Sequence, residues 1–521
     1  MRLAFVWFNT NSPVGISHGV LILARELAQA GHAVEILHLN EELGLAEDPD
    51  TVVTRLKEIA PDLIGLSFAS SHASQARILA DRLSKELPEV FILCGGIHTT
   101  LVSEEVIDWP GVDAIGIGEL DNGPLVEFVN LLASGGSRYR QTPGFWLKHN
   151  NEIHRNRLAR LPNLDNQALP LYELIDLDRL VQAKRGFGEV LAGRGCPFRC
   201  NFCQNHALVE RYRVSLGGTP AAWPYCRQRS VSNLLEEIEL LRSRAPSTKA
   251  IMFGDDRMAF DKTWLADFSQ QYPARIGLPF IINATADQID EQTAALLEQA
   301  GCNMVKLGVE CAPGRIRREV LNRPFGEKLI RQAFSALKRY NINTMAYLMI
   351  GIPSEKSQDV LATYRFCASL QPDAVRVSMF CPFPGTKIYT DLVDKGQLLR
   401  SVGVYGFLKD SILDWPEEMQ LFLDKSLALG AWLLNGHLGG QVGEKSQEFT
   451  DTIFATDRET WKDREYQEEL KQHSTKLLDD FRDKSLKYYH APFPERPDYA
   501  FLAIQRRYPL INVDRVKDDP V

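Results

Sequence analysis

Twice along this chain, short apolar runs alternate with stretches of helical periodicity, and that alternation restricts the fold more than any other feature. In residues 1 to about 130 the strand candidates are Arg2–Phe8, Val34–Leu39, Leu63–Phe68, Val90–Cys94 and Ala114–Ile117. Helical patterns such as Gly19–Ala30 and Ser74–Leu87 lie between them. Apolar runs without polar alternation belong to strands buried on both faces. Strand, helix and strand in succession build right-handed crossovers, hence a parallel sheet covered by helices on both sides. A second series begins near residue 186, with Glu189–Gly193, Ala250–Gly254, Phe280–Ala284, Met304–Val309, Thr344–Ile350 and Ala374–Phe380 as strands. Between them run the helical stretches Val231–Arg244, Glu291–Gln299, Glu327–Tyr340 and Ser357–Leu370. Six such units predict an open, partial (β/α)6 barrel with its functional groups at the carboxyl ends of the strands.

The fold class is therefore α/β, and four regions are expected. A Rossmann-like, doubly wound parallel sheet occupies 1–135, and a weakly periodic linker 136–185. The partial barrel occupies 186–395, and a mostly helical, charge-rich cap 396–521. The tail is expected to close the barrel mouth against water, with Trp432 and His437 either touching substrate or packing the cap.

A formal charge of -8 argues against a general nucleic-acid binder, which needs basic surface to neutralise phosphates. No run approaches 18 apolar residues, so no membrane span is expected. The opening residues MRLAFVWFNTNSP lack the pattern of a signal peptide. A cytoplasmic location follows as the expectation, and there clustered thiols signify metal or catalysis more often than disulfides.

Three of the nine cysteines, Cys196, Cys200 and Cys203, stand within eight residues at the end of the first barrel strand. Thiolates at spacings of four and three residues can wrap one corner of an iron–sulfur cube. Three ligands for four irons leave one iron open to chelate the amino and carboxylate groups of a small molecule. A structural zinc asks for a fourth ligand, and Cys226 and His206 are close enough in sequence to leave that reading open.

C-x3-C-x2-C after a strand, with Phe202 before the last cysteine, resembles the signature of the radical S-adenosylmethionine (SAM) superfamily. There the open iron binds SAM, and an electron from outside cleaves it to a 5′-deoxyadenosyl radical. The resemblance thus implies a [4Fe–4S] cluster, SAM and an external donor of flavodoxin or ferredoxin type. Later strand ends match in register. Asp255 and Asp256 end the second strand in Phe-Gly-Asp-Asp, and Asn283 lies at the end of the third. Gly308-Val309-Glu310 ends the fourth, Gly351-Ile352-Pro353-Ser354-Glu355 follows the fifth, and Pro382-Phe383-Pro384-Gly385-Thr386 with Tyr389 follows the sixth. These resemble the cobalamin-dependent branch and imply cofactor contacts from Phe202, Asp255, Asp256, Asn283, Gly308, Glu310 and Ile352. Read by themselves, Glu310 is equally an ion-pair partner, Asn283 a helix cap, and the two aspartates partners of barrel arginines.

The first domain lacks the G-x-G-x-x-G turn of dinucleotide binders. It is similar instead to the cobalamin-binding domain that often precedes such barrels. The likenesses lie at Pro13 and Gly15, Ser67 and Ser70, Gly95, Gly96 and His98, and Gly116, Gly118 and Glu119. Glycine at strand ends admits a bulky ligand to the backbone, and the serines can hydrogen-bond a buried nucleotide tail. D-x-H-x-x-G is absent, so no histidine reaches cobalt from that motif, and His98 reads as a hydrogen-bonding loop residue. The resemblance covers about residues 1–395. It implies methylation of an unactivated carbon or phosphorus centre in a small-molecule substrate. The alternatives are radical oxidation, cyclisation or rearrangement, as in anaerobic porphyrin ring cyclases, and a non-catalytic cobalamin or redox sensor. No residue is singled out as a catalytic acid or base.

Overall fold

The computed structural model describes all residues except 11–13, 46–47, 151, 219–222, 259–260, 401–410, 491–500 and 505–521. Its first sheet contains β1 (Arg2–Phe8), β2 (Ala33–Leu39), β3 (Leu63–Ser67), β4 (Phe91–Gly95), β5 (Ala114–Gly116), β6 (Phe145–His149) and β7 (Glu152–Arg155). The spatial order is β2-β1-β3-β4-β5-β6-β7, and the first five strands are parallel. The chain winds outward from β1 to β2 and then returns to β3 on the other side. Such a reversal opens a crevice at the carboxyl ends of β1 and β3. Ala4, Val6, Ile64 and Leu66 are buried to 1% or less, which explains why these strands read as unbroken apolar runs. The helix His18–Gln29 starts where Ser17 Oγ accepts from the Val20 amide, and it buries Val20, Leu21, Ala24 and Leu27.

The expected linker instead enlarges this sheet. Phe145, Trp146 and Leu147 are buried, β6 pairs antiparallel with β5, and β7 pairs antiparallel with β6. The sheet therefore runs to Arg155. The stretch remains short of pattern because Pro143, Gly144 and Asn150 flank strands of only five and four residues.

The second sheet contains six parallel strands in chain order: β8 (Phe187–Val190), β11 (Ala250–Phe253), β12 (Phe280–Ala284), β13 (Cys302–Glu310), β14 (Asn343–Ile350) and β15 (Ala374–Met379). Between β8 and β11, β9 (Gly193–Arg194) and β10 (Arg227–Gln228) form an antiparallel ribbon. Near the chain end, β16 (Tyr489–His490) pairs with β17 (Phe501–Ile504), and β17 pairs antiparallel with β15. Successive side chains of a strand point to opposite faces. In β13, Val305, Leu307 and Val309 join the core under the outer helices. Lys306, Gly308 and Glu310 alternate with them and line the lumen. The helix Glu327–Arg339 turns Ile330, Ala333, Phe334 and Leu337 toward the same core.

The tail helices lie along the flank of the barrel, against the helix Ser357–Leu370, where Tyr364 Oη donates to the Ser426 carbonyl at 2.8 Å. Trp432 is 1% exposed and packs on Phe449 and Phe481, so it belongs to this cap, while His437 is exposed. A different segment reaches the barrel top: Ile412 and Leu413 pack with Met349, Ile352 and Phe380, beside Phe202 and Phe383. Burial of that apolar cluster, rather than docking of the helices, covers this part of the mouth.

Candidate cofactor site

The cluster loop begins at a turn that only glycine fits. Gly195 has φ +91°, and a Cβ there would run into the carbonyl of Tyr225, two residues before β10. Asp255 secures the approach to this turn. Its two carboxylate oxygens accept from the amides of Ala192 at 2.9 Å and Gly193 at 2.7 Å. Burial pushes its pKa up to about 7. The expectation of a cofactor contact from Asp255 is thus replaced by a backbone brace, because both oxygens are already engaged. Asp256 is exposed beside it and accepts from Asn205 Nδ2 at 2.6 Å.

Cys200 is 4% exposed, and Cys196 and Cys203 are partly buried. All three thiols lie within electrostatic reach of one another. Burial pushes each of them up, Cys203 to about 11, so a metal's positive charge is what would hold them as thiolates. Among the described residues no three His, Cys, Asp or Glu side chains converge as a single chelated ion requires. A cube takes one thiolate per iron, so its ligands need not converge on a single point. Cys226 is exposed within reach of Cys196, without completing a zinc site.

The loop is tied to the far side of the barrel. The Asn201 amide donates to the Leu321 carbonyl at 3.0 Å, Asn201 Nδ2 to Val320 at 2.9 Å, and Asn322 Nδ2 returns a bond to Arg199 at 2.7 Å. Arg323 joins three groups: it approaches Cys200 Sγ at 3.9 Å, donates to the Gly308 carbonyl at 2.9 Å and pairs with Glu310 at 3.3 Å. Glu310 has φ +62° at a bulge in β13, and burial raises its pKa while Arg323 opposes the rise. Neither Arg323 nor Gln204 was identifiable from sequence. Arg323 lies far along the chain from the cysteines, and Gln204 merely follows the last of them.

Three buried polar atoms on or beside the residues expected to contact cofactors have no partner among the described residues. Asn283 Nδ2 donates to the Asp255 carbonyl at 2.7 Å, but its buried Oδ1 has no partner among the described residues. Glu355 Oε2 accepts from the amides of Gly351 at 2.8 Å and Ile352 at 3.0 Å, while Oε1 is buried and unpaired. Burial raises Glu355 to about 8. In the first domain, His98 Nδ1 lies 3.0 Å from Ser70 Oγ, and its buried Nε2 has no partner. Burial lowers His98 to about 4, so the ring is neutral at physiological pH.

The other expected contacts of the first domain divide into two groups. Ser67 and Gly95 end neighbouring strands in register, and a Cβ on Gly95 would meet open space. Gly96 has φ +98° with the Phe68 carbonyl 2.5 Å from where a Cβ would stand. Thr100 Oγ1 joins two turns, donating to the Gly96 carbonyl at 3.0 Å and accepting from the Gly118 amide at 3.0 Å. The Gly15 amide donates to Asn9 Oδ1 at 3.0 Å, and Pro13 lies outside the described residues. Gly116 is buried within β5. Glu119, however, turns away to the barrel: it pairs with Arg194 at 2.5 Å and with Arg227. Asp121 joins Arg194 at 2.8 Å, and the Glu119 amide donates to Tyr212 Oη at 2.9 Å. Its carboxylate is consumed by the domain junction.

The crevice and the cluster loop meet directly, since Gln204 Nε2 reaches Ser70 Oγ at 3.5 Å. The profile of the radical SAM superfamily matches residues 190–367, and that of the B12 binding domain matches residues 11–124. Residues 190–367 thus form a radical SAM domain. With the B12 domain ahead of its barrel, the chain is a cobalamin-dependent radical SAM enzyme, and its cofactors are a [4Fe–4S] cluster, SAM and cobalamin. It is 27% identical over 399 residues to an uncharacterised methyltransferase of Pyrococcus horikoshii, covering 75% of this chain and 80% of that one. It is 23% identical over 412 residues to the anaerobic magnesium-protoporphyrin IX monomethyl ester cyclase of Cereibacter sphaeroides, covering 76% and 64%. Among solved structures it shares the fold of the radical SAM methyltransferase TsrM from Kitasatospora setae, with a TM-score of 0.61 and 17% identity over 77% of this chain and 76% of that one. No described helix of this radical SAM enzyme is long and apolar enough to cross a membrane.

Proposed function

We propose that this enzyme methylates an unactivated carbon or phosphorus centre of a small-molecule substrate. The observation that carries the reading is the shared wall between the two candidate sites, where Gln204, next to Cys203, contacts Ser70, and Ser70 contacts His98. A methyl carrier and a hydrogen-abstracting centre must both reach one substrate, and contact between their loops supplies that proximity. Relatives named as methyltransferases support it further.

In this reading Cys196, Cys200 and Cys203 hold the cluster, and Asn283 Oδ1, the Gly308–Glu310 bulge and the Ile352 turn bind SAM. Asp256 and Phe202 border them. Gly15, Ser67, Ser70, Gly95, Gly96, His98, Gly116 and Gly118 shape the cobalamin crevice, with neutral His98 presenting Nε2 as a hydrogen-bonding atom. When bound, the cluster with SAM supplies reductive radical generation, and cobalamin supplies a transferable methyl group. The chain itself contributes alignment and exclusion of water. Asp255 and Gly195 fix the entry to the cysteine loop, and Arg323 sets it against Glu310. Phe202, Ile352, Ile412 and Leu413 keep an apolar cover beside it. An external donor of flavodoxin or ferredoxin type delivers the electron.

Radical cyclisation or oxidation without methyl transfer is the second reading, favoured by the relatives named as cyclases. Anaerobic incubation with methyl-labelled SAM, cobalamin, reductant and a metabolite extract separates the two. Methyl transfer yields 5′-deoxyadenosine together with label in a new product. A new product without label, beside 5′-deoxyadenosine, supports the second reading. Cys200→Ala is expected to abolish both signals.

A further inference from the structure

Deepening that reading, and resting on its assignment of the cysteines to the cluster and of the Gly308–Glu310 bulge to SAM, we propose that Arg323 and Glu310 set the cluster's reduction potential in opposite directions. SAM, by engaging Glu310, then raises that potential. The guanidinium fork of Arg323 is divided between two tasks. Nη1 donates toward Cys200 Sγ at 3.9 Å, while Nη2 donates to the Gly308 carbonyl at 2.9 Å and pairs with Glu310 Oε1 at 3.3 Å. The fork is planar, so these directions are fixed with respect to one another. Among the described residues Arg323 is the only side chain that hydrogen-bonds a thiol of the triplet. Arg257 and Asp256 also act on it, with opposite signs and through space alone.

The sequence builds room for this pair. A Cβ at position 308 would collide with Glu310 Oε1 and Arg323 Nη2, so only glycine lets them meet. The bulge in β13 puts Glu310 at φ +62°, a conformation that costs a non-glycine residue energy and re-aims its side chain. Arg323 is held in turn, its amide donating to the Arg317 carbonyl at 2.7 Å and its guanidinium lying 5.2 Å from the Phe325 ring centre. Glu310 and Cys200 both act to hold that guanidinium above its usual pKa range, against burial.

Reduction adds one electron from the external donor and makes no bond, and part of the added charge falls on the sulfur ligands. Hydrogen bonds and positive charge at those sulfurs favour the reduced form and raise the potential. A carboxylate works the other way, and low surrounding polarity strengthens both effects. Arg323 therefore raises the potential and Glu310 holds it down. Glu310 Oε2 has no partner among the described residues, and the side chain keeps 15% of its surface accessible. It stays open to a donor such as the ribose diol of SAM. Hydroxyls donating to this carboxylate disperse its charge, and Arg323 then acts on Cys200 with less opposition. The chain thus favours entry of the electron once SAM occupies the bulge.

The test is an anaerobic redox titration of the reconstituted holoenzyme, followed by the electron paramagnetic resonance of the reduced cluster. It is run with and without saturating aza-SAM, an analogue that reduction does not cleave. Arg323→Gln is expected to lower the midpoint by a tenfold change in the reduced-to-oxidised ratio, about 59 mV for one electron, with Arg323→Lys staying near wild type. Glu310→Gln, which leaves Arg323 on Cys200, is expected to raise it. The midpoint is read on the clusters that remain, so partial loss of iron does not disturb it. Damage to the loop would carry both variants the same way, whereas opposite signs report charge. Aza-SAM is expected to displace the wild-type midpoint further upward than that of Glu310→Gln, since the direct effect of binding at iron is common to both. The proposal is overturned if Arg323→Gln leaves the midpoint in place, if Arg323→Gln and Glu310→Gln shift it in the same direction, or if aza-SAM moves wild type and Glu310→Gln equally. No methyl group moves in this measurement, so its failure leaves the labelling result standing, and the reverse holds too.

Discussion

Arg323 shows how much of the cluster loop depends on a side chain outside the motif. One guanidinium faces Cys200, the Gly308 carbonyl and the Glu310 carboxylate. Removing it leaves Glu310 buried without its counter-charge, a change that costs about 3 kcal/mol in comparable buried pairs. Arg323→Gln is therefore expected to lower both the melting temperature and the iron and sulfide retained after anaerobic purification. The cysteine triplet itself was legible, because its spacing is local and its chemistry specific. Asp255 was legible as a strand-end residue but not as a brace, since the amides it accepts lie on another strand, more than sixty positions away. Glu119 was misread for the same reason. Its glycine-rich neighbourhood suggested a ligand, while its true partners, Arg194 and Arg227, belong to the next domain.

The six barrel strands and several of their helices stood out because periodicity is a property of the segment alone; Val231–Arg244 and Ser357–Leu370 form as expected. Elements that depend on a partner did not. The hairpin β6–β7 is short and broken by turn residues, and β17 is a strand by virtue of lying along β15. The helix Gln204–Leu216 has little apolar face, burying only Tyr212. The turn after β14 offers a test of its own. Glu355 accepts from two amides of its turn and is raised by burial from an ordinary 4.5 to about 8. A raised carboxyl contributes stability that is complete below its unfolded pKa and is lost as pH climbs through the folded one. Glu355→Gln, which keeps an acceptor oxygen and never ionises, should behave like wild type near pH 4.5. Its melting temperature should then pull above wild type between pH 5 and about 8. Parallel melting curves across that range would show that Glu355 keeps an ordinary pKa.

Across the whole molecule, the two sheets are joined through charge and aromatic packing. Tyr212, Trp223 and Tyr225 belong to the core of the first domain although they lie in the chain after the cysteines. Against the burial that would lower it, Asp121 and Glu119 hold Arg194 well above its usual range, a sign of how firmly the junction is paired. Glu119→Gln is expected to loosen this junction. On the methyl-transfer reading, the ratio of labelled product to 5′-deoxyadenosine should fall severalfold while cluster content stays near wild type. A proportional loss of both products would mean that Glu119 serves folding alone.

Arg194 precedes Cys196 by two residues, and the carboxylates that grip it come from a sheet whose parallel strands are all encoded earlier. During synthesis, that sheet leaves the ribosome before the thiols do, and domains fold as they emerge. The parallel strands of the front sheet thus emerge ahead of the loop that Glu119 and Asp121 grip, while Tyr212, Trp223 and Tyr225 complete its core only after the thiols have followed.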